Sequence, residues 1–124
     1  MGPKKVLIAV VAALCGCTLL AVAKVPVYSE GGVLIDAKGM SLYTFDRDPR
    51  GKSACSGQCA TSSPPLIAAA DAKPAGDYSL VKRDDGAKQW AYKGKPLYGW
   101  VKDQKPGDTT GNGVNNNTWH VAQP

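Results

Sequence analysis

The sequence is poor in the residues that most catalytic sites need, because its 124 residues include a single histidine and only four cysteines. Hydrolysis by a Ser/His/Asp arrangement would have to use His120 as its base, and no serine lies in the Gly-x-Ser-x-Gly context of a nucleophile elbow. A pair of catalytic carboxylates needs a cleft that a domain of this size is poorly suited to build. We therefore expect a protein that is not an enzyme.

Long amphipathic helices are also missing. Few windows show a 3.6-residue hydrophobic period, and the 14 Gly and 9 Pro residues interrupt the chain often, which excludes a helical bundle or a coiled coil. Short segments with two-residue alternation predict an all-β fold built from hairpins. Residues 66–72 could form one or two helical turns after two prolines, and residues 107–117 read as a loop. The predicted strands are 33–35, 42–45, 78–81, 89–92, 97–101 and 118–121.

Residues 1–23 have the pattern of an export signal. Two lysines precede an apolar run over residues 6–20, and residues 21–23 form a small-x-small cleavage site. Two alternatives remain: an uncleaved membrane anchor, since the apolar stretch is close to spanning length, and lipidation at Cys17, which follows Leu-Cys-Gly. We expect a periplasmic or secreted protein, lipid-anchored to the envelope in the second alternative.

Removal of residues 1–23 would leave one β-rich domain over residues 24–124. The formal net charge of +5 would then fall, because two of the 15 basic residues belong to the signal. The remaining lysines are scattered rather than clustered, which argues against a nucleic-acid partner. We expect an envelope protein or a small ligand as the partner, with membrane contact only if Cys17 is lipidated or the signal stays uncleaved.

The chain contains an internal repeat. Residues 39–48 align without gaps with residues 94–103, and Gly, Leu, Tyr, a second aromatic residue and Asp recur at identical offsets. A strand precedes each copy, so the repeats extend over about 31–48 and 86–103. We expect a duplicated hairpin in which Gly supplies the turn, Leu and the aromatic residues lie along the returning strand, and Asp stands where the chain leaves the sheet. Two such units packed together predict a pseudo-symmetric core.

The repeated motif resembles that of a family of secreted bacterial repeat proteins, often called predicted lipoproteins, with the pattern Tyr-x-(Phe/Trp/Tyr)-x-x-Asp. Further matches in order along residues 51–108 extend the resemblance over nearly the whole mature chain. The family has no assigned biochemical activity, so the resemblance implies export but no reaction. One departure is clear: the family usually has Trp before two prolines, whereas this chain has Ser63. A function that depends on that Trp would be altered here.

The aromatic and acidic residues of the motif are the candidate binding residues. We expect a non-enzymatic domain that binds through exposed aromatics, with Tyr98 and Trp100 as the first choice; the alternative assigns both rings to the core. The candidate binding residues are Tyr43, Phe45, Asp48, Tyr98, Trp100 and Asp103.

The cysteine pair that survives signal cleavage is Cys55 and Cys59. In an exported protein they are expected to form a local disulfide, and closing a loop of this length contributes about 2 kcal/mol. The alternative is a copper-binding or thiol-redox protein, in which these two cysteines and His120 hold Cu(I). In the first interpretation the protein needs no cofactor.

Overall fold

The computed structural model describes residues 24–124, so the predicted export signal and the lipidation site at Cys17 lie outside the described residues. The strands in chain order are β1 Tyr28–Glu30, β2 Val33–Ile35, β3 Tyr43–Phe45, β4 Ile67–Ala68, β5 Tyr78–Lys82, β6 Lys88–Tyr92, β7 Lys95–Pro96 and β8 Trp119–Val121. Two short helical segments are present, α1 Gln58–Ser62 and α2 Val114–Asn117. The predicted all-β fold with only short helical turns is confirmed. Across residues 24–124 no helix has the length and apolar character needed to span a membrane.

The strands pair antiparallel in three small sheets. β1 and β2 form a hairpin, and β3 pairs with β8. β6 is the centre of the largest sheet, with β5 along one edge and with β4 and β7 on successive halves of the other. β6 has three consecutive buried residues, as expected for a strand that has neighbours on both edges.

Residues 107–117, predicted as a loop, include α2. Two further segments differ from their predicted structures. Residues 66–72 contain the two-residue strand β4 instead of a helical turn, because backbone groups at 66–68 pair with β6: the amide of Trp90 donates to the carbonyl of Leu66 at 2.9 Å. Residues 97–101 do not continue as a strand after β7; Tyr98 instead forms isolated bridges with Tyr43 and Pro65. In both cases long-range pairing overrides the local pattern.

The two repeats are related by a pseudo-twofold axis that passes between Tyr43 and Tyr98. The amide of Tyr43 donates to the carbonyl of Tyr98 at 2.8 Å, and the amide of Tyr98 donates back to the carbonyl of Tyr43 at 3.0 Å. Gly39 and Gly94 take matching positive φ angles of 85° and 84° in the preceding turns, as the repeat predicts. The duplicated β-unit is therefore a property of the fold as well as of the sequence.

The last segment of each repeat pairs with the other repeat. Ala122, at the end of the second repeat, donates its amide to the carbonyl of Leu42 in the first repeat at 2.7 Å. Leu66, at the end of the first repeat, donates its amide to the carbonyl of Leu97 in the second repeat at 2.9 Å. We call this arrangement the exchange of the closing segments. These contacts make residues 62–66 the structural counterpart of residues 118–122, and neither repeat has a complete set of backbone partners without the other.

The core consists of two adjoining hydrophobic clusters. One is aliphatic and lies around Leu34, Leu42 and Leu97, with Trp90 packed among them. The other is mainly aromatic and contains Tyr43, Tyr98 and Trp119 together with Cys55. The repeated Leu-Tyr pairs therefore contribute to both clusters, since neighbouring residues on an extended chain point to opposite faces.

Candidate functional site

The tyrosine of each repeat is hydrogen-bonded to the aspartate of the other repeat. The hydroxyl of Tyr43 donates to Asp103 Oδ2 at 2.6 Å, and the hydroxyl of Tyr98 donates to Asp48 Oδ2 at 2.7 Å. Both tyrosines are at most 1% exposed. These four motif residues therefore join the repeats in the interior, and the tyrosine rings do not form an open binding surface.

Each aspartate also receives a backbone hydrogen bond from the loop that follows it. The amide of Ala54 donates to Asp48 Oδ1 at 2.7 Å, and the amide of Thr110 donates to Asp103 Oδ1 at 2.9 Å. Each carboxylate thus accepts a hydrogen bond from the tyrosine of the other repeat at one oxygen and from its own loop at the other oxygen. Because such charge-assisted bonds are among the stronger ones in proteins, the motif's Asp stabilises the loops and also the contact between the two repeats, here called the seam.

The polar groups around Tyr98 are part of one connected network. Ser53 Oγ lies 2.7 Å from the Tyr98 hydroxyl, and Arg83 donates to Ser53 at 2.9 Å, to Gln89 at 2.8 Å and to the carbonyl of Cys55 at 2.7 Å. Burial is the main cause that raises the pKa of Tyr98 to about 12. The network fixes these groups against one another and so ties β5 and β6 to the disulfide loop.

Burial also changes the titration of two other motif residues. It raises the pKa of Tyr43 well above its usual value, and the hydrogen bond to Asp103 adds to the rise. Burial likewise raises the pKa of the Asp48 carboxyl, against the lowering effect of the hydrogen bonds that it accepts and of the Arg83 charge. Both tyrosine hydroxyls therefore remain protonated donors over the physiological pH range.

The remaining aromatic residues of the motif differ in their packing. Phe45 stacks on Trp119 with ring centroids 4.3 Å apart, and Tyr98 meets the same indole edge-on at 5.1 Å. Trp100, the counterpart of Phe45, is half-buried, and its indole N–H has no hydrogen-bond partner. Unlike its counterpart Phe45, Trp100 stacks on no other aromatic ring among the described residues.

Ser63 explains the different position of Trp100. The pairing of residues 62–66 makes Ser63 the counterpart of Trp119. Phe45 stacks on Trp119, but its counterpart Trp100 has no indole at position 63 to stack on. Trp100 packs against Gly111 instead: a Cβ added to Gly111 would lie 2.9 Å from Trp100 Cγ and 3.0 Å from Tyr43 Cε2. The absence of a side chain at 111 therefore lets the indole fill the space beside the buried Ser63.

The proposed copper ligands are not assembled. Cys55 and Cys59 form the predicted disulfide, with an S–S distance of 2.04 Å and Cα atoms 5.2 Å apart. His120 lies on β8, where its Nε2 is 2.9 Å from Asp46 Oδ2. Residues 24–124 contain no group of three or more His, Cys, Asp or Glu side chains arranged to hold a metal ion. Since Cu(I) binding requires thiolates, the donor set does not fit copper in the disulfide form.

Two adjoining clefts of about 350 and 280 Å³ open on the seam between the repeats. They share Thr44, Asp46 and Lys95, so they form one continuous depression, here called the seam groove. Both repeats line it, the first with Thr44 and Asp46 and the second with Lys93, Lys95 and His120. The polar side chains that line it are Thr44, Asp46, Asp48, Arg50, Tyr92, Lys93, Lys95, His120 and Gln123.

Comparison of the two repeats shows that four residues of the seam groove differ from their counterparts on the pseudo-symmetric side. Lys95 corresponds to Met40, and Asp46 corresponds to Val101, which is 55% exposed. Likewise Thr44 corresponds to Gly99, while His120 corresponds to Pro64. Of these positions His120 was predicted from the sequence, as a copper ligand, and the others were not; their signal was the difference between the aligned repeats, whereas the shared residues pointed to the core.

A family model described as a secreted repeat of unknown function, Lipoprotein_15, matches the chain twice, over residues 24–66 and 79–123. The two matches coincide with the two halves of the pseudo-symmetric fold. The first match ends at Leu66, and the second ends one residue after Ala122. Leu66 and Ala122 are the residues at the end of each repeat that pair with the other repeat. Searches of curated proteins and of solved structures returned no match.

Proposed function

The chain belongs to the family of secreted repeats of unknown function, and from that premise we propose that it is an exported, non-enzymatic protein that binds a ligand in the seam groove. The observation that carries the proposal is the divergence of the two repeats at this surface. A duplicated unit keeps the residues that both copies need for folding. Polar residues present on one copy only are not required by the shared fold, and several of them line the seam groove.

The non-enzymatic part of the proposal is supported by how the reactive side chains are used. Both cysteines are in the disulfide, and the two motif tyrosines donate to carboxylates. Ser53 is engaged by Tyr98 and Arg83. These cysteines, tyrosines and this serine therefore serve the fold, while the groove offers charged and hydroxyl groups suited to recognition.

The test is a small-molecule screen by NMR on the exported protein. We expect ligands to shift the amide signals of residues 44–46, 93–95 and 120, and to be recovered chemically unchanged. Exchanging the groove residues for their counterparts, Asp46→Val with Lys95→Met, should abolish binding without unfolding. The matched control is Val101→Asp, which introduces an aspartate at the position of the other repeat that corresponds to Asp46, and it should leave binding intact. Ligands that map elsewhere, or that are chemically converted, would refute the proposal.

Export by cleavage after Ala23 is part of the same proposal. We expect the intact mass of the exported protein to correspond to a chain that begins at Lys24, located in the periplasm or outside the cell. A mass that includes a diacylglyceryl group on Cys17 would instead assign the lipid-anchored form.

A further inference from the structure

We propose that the seam groove holds the phosphate group of a phosphate-bearing small molecule, between Lys93, Lys95 and Arg50. This inference rests on the proposed function and names the chemical class of the ligand. It is carried by the charges at the turn between β6 and β7, where three cations converge.

The three cations come together at one turn. Lys93 and Lys95 flank Gly94 in the chain, and Arg50 lies directly over it: a Cβ added to Gly94 would lie 2.8 Å from Arg50 Cγ and 3.0 Å from its Cζ and Nε. The amide of Gly51 donates to the carbonyl of Gly94 at 2.8 Å, which holds this arginine loop on the turn. Glycine at 94 thus permits the close approach of the Arg50 side chain to the turn that carries Lys93 and Lys95.

None of these cations is neutralised by a carboxylate. Within residues 24–124, the ion pairs shorter than 4.0 Å are Lys105 with Asp108 and His120 with Asp46. The second carboxylate of the groove, Asp48, already accepts hydrogen bonds from Tyr98 and Ala54. The acids of the groove are therefore occupied, whereas its three cations are exposed to solvent without a carboxylate partner, an arrangement that attracts an anion.

The turn itself uses lysine where another residue would be less strained. Lys93 has a φ of 49° and Gly94 a φ of 84°, the conformation of a two-residue hairpin turn that favours Asn-Gly. A lysine in the left-handed region costs on the order of 1 kcal/mol, so this position carries a charged side chain at the expense of local stability. Its ammonium lies 5.2 Å from the Tyr92 ring, which borders the same groove.

Phosphate matches this charge better than a carboxylate does. A phosphate monoester carries about −1.5 to −2 charges near neutral pH, and lysine binds phosphate as a point charge. Thr44 and His120 on the opposite wall are hydrogen-bonding groups suited to the rest of the molecule. A dianion beside three uncompensated cations leaves the groove close to neutral.

The experiment is an NMR titration of the exported protein with inorganic phosphate at constant ionic strength. We expect saturable shifts of the amides of residues 93–95, and a Kd raised at least tenfold by Lys93→Gln with Lys95→Gln. Lys88→Gln, an exposed lysine at the other end of β6, is the matched control and should change the Kd less than twofold. Acetate should bind at least tenfold more weakly than phosphate.

Three outcomes would overturn the inference: no saturable shift, equal binding of acetate, or an equal effect of the Lys88 control. Binding to phosphatidylglycerol vesicles without binding of free phosphate would assign a lipid surface instead and would also contradict it. The failure of the inference is separable from that of the proposed function. If uncharged compounds from the screen bind in the groove while phosphate does not, the phosphate inference fails and the binding function stands.

Discussion

Removal of the Tyr98 hydroxyl is the sharpest perturbation of the seam between the repeats. The side chain is fully buried, and its hydroxyl lies 2.7 Å both from Asp48 Oδ2 and from Ser53 Oγ. In Tyr98→Phe the ring packing is kept, but the carboxylate loses its donor and Ser53 loses a neighbour. A hydrogen bond to a charged group contributes about 1.5–3 kcal/mol and a neutral one about 1 kcal/mol, so we expect the free energy of unfolding to fall by about 3 kcal/mol.

Urea denaturation followed by tryptophan fluorescence measures this change. For a domain of about 100 residues the loss corresponds to a Tm lower by roughly 10 °C or more. Tyr43→Phe should have a similar effect, because its hydroxyl donates to Asp103 and accepts the amide of Gly111 at 3.2 Å. The control is Tyr28→Phe, a tyrosine that is 52% exposed, with an expected change below about 0.5 kcal/mol.

A double-mutant cycle separates the hydrogen bond from the packing of the ring. Tyr98→Phe combined with Asp48→Asn should show a coupling energy of about 1.5–3 kcal/mol, since the two groups are in direct contact. If Tyr98→Phe costs less than about 0.5 kcal/mol, or if the two effects are additive, the crossed tyrosine–aspartate bonds do not hold the repeats together and the reasoning fails.

Further predictions concern pH, the disulfide and the packing of Trp100. Since the folded pKa of Tyr98 is raised to about 12, its contribution is fully present below pH 10 and is lost between pH 10 and 12; stability should fall by on the order of 2–3 kcal/mol across that window in denaturation experiments. Cys59→Ser should cost about 2 kcal/mol at neutral pH, and a change near zero would show that the loop is held by its hydrogen bonds alone. Gly111→Ala should lower stability by about 1–3 kcal/mol and alter Trp100 fluorescence, whereas Gly99→Ala, with its nearest atom 3.9 Å away, should do neither.

The duplicated unit could be predicted from sequence because its signal is local. Gly39 and Gly94 take nearly the same positive φ in the turn of each copy, and a Leu-Tyr pair follows each at the same offset, so alternation and composition suffice. The exchange of the closing segments could not be predicted in this way. Strand β4 at residues 67–68 depends on the edge of β6 some 20 positions later, and nothing in residues 66–72 encodes that partner.

The position of the motif residues shows a second limit of reading the sequence. Tyr43 and Asp103 are 60 positions apart, and only the pseudo-twofold arrangement brings them within 2.6 Å. The motif predicted an exposed aromatic surface as one of two alternatives. Tyr98 is instead buried, and its hydrogen bond to Asp48 leaves no unsatisfied polar group there. The groove positions Thr44, Asp46 and Lys95 were missed for the opposite reason, because the repeats differ there.

The interlocked repeats are tested most directly by through-hydrogen-bond NMR couplings between the amide nitrogen of one tyrosine and the carbonyl carbon of the other. We expect two reciprocal couplings, from Tyr43 to Tyr98 and from Tyr98 to Tyr43, with both amides among the slowest to exchange with deuterium. Couplings that pair each tyrosine with a residue of its own repeat, or rapid exchange of both amides, would contradict the pseudo-twofold seam.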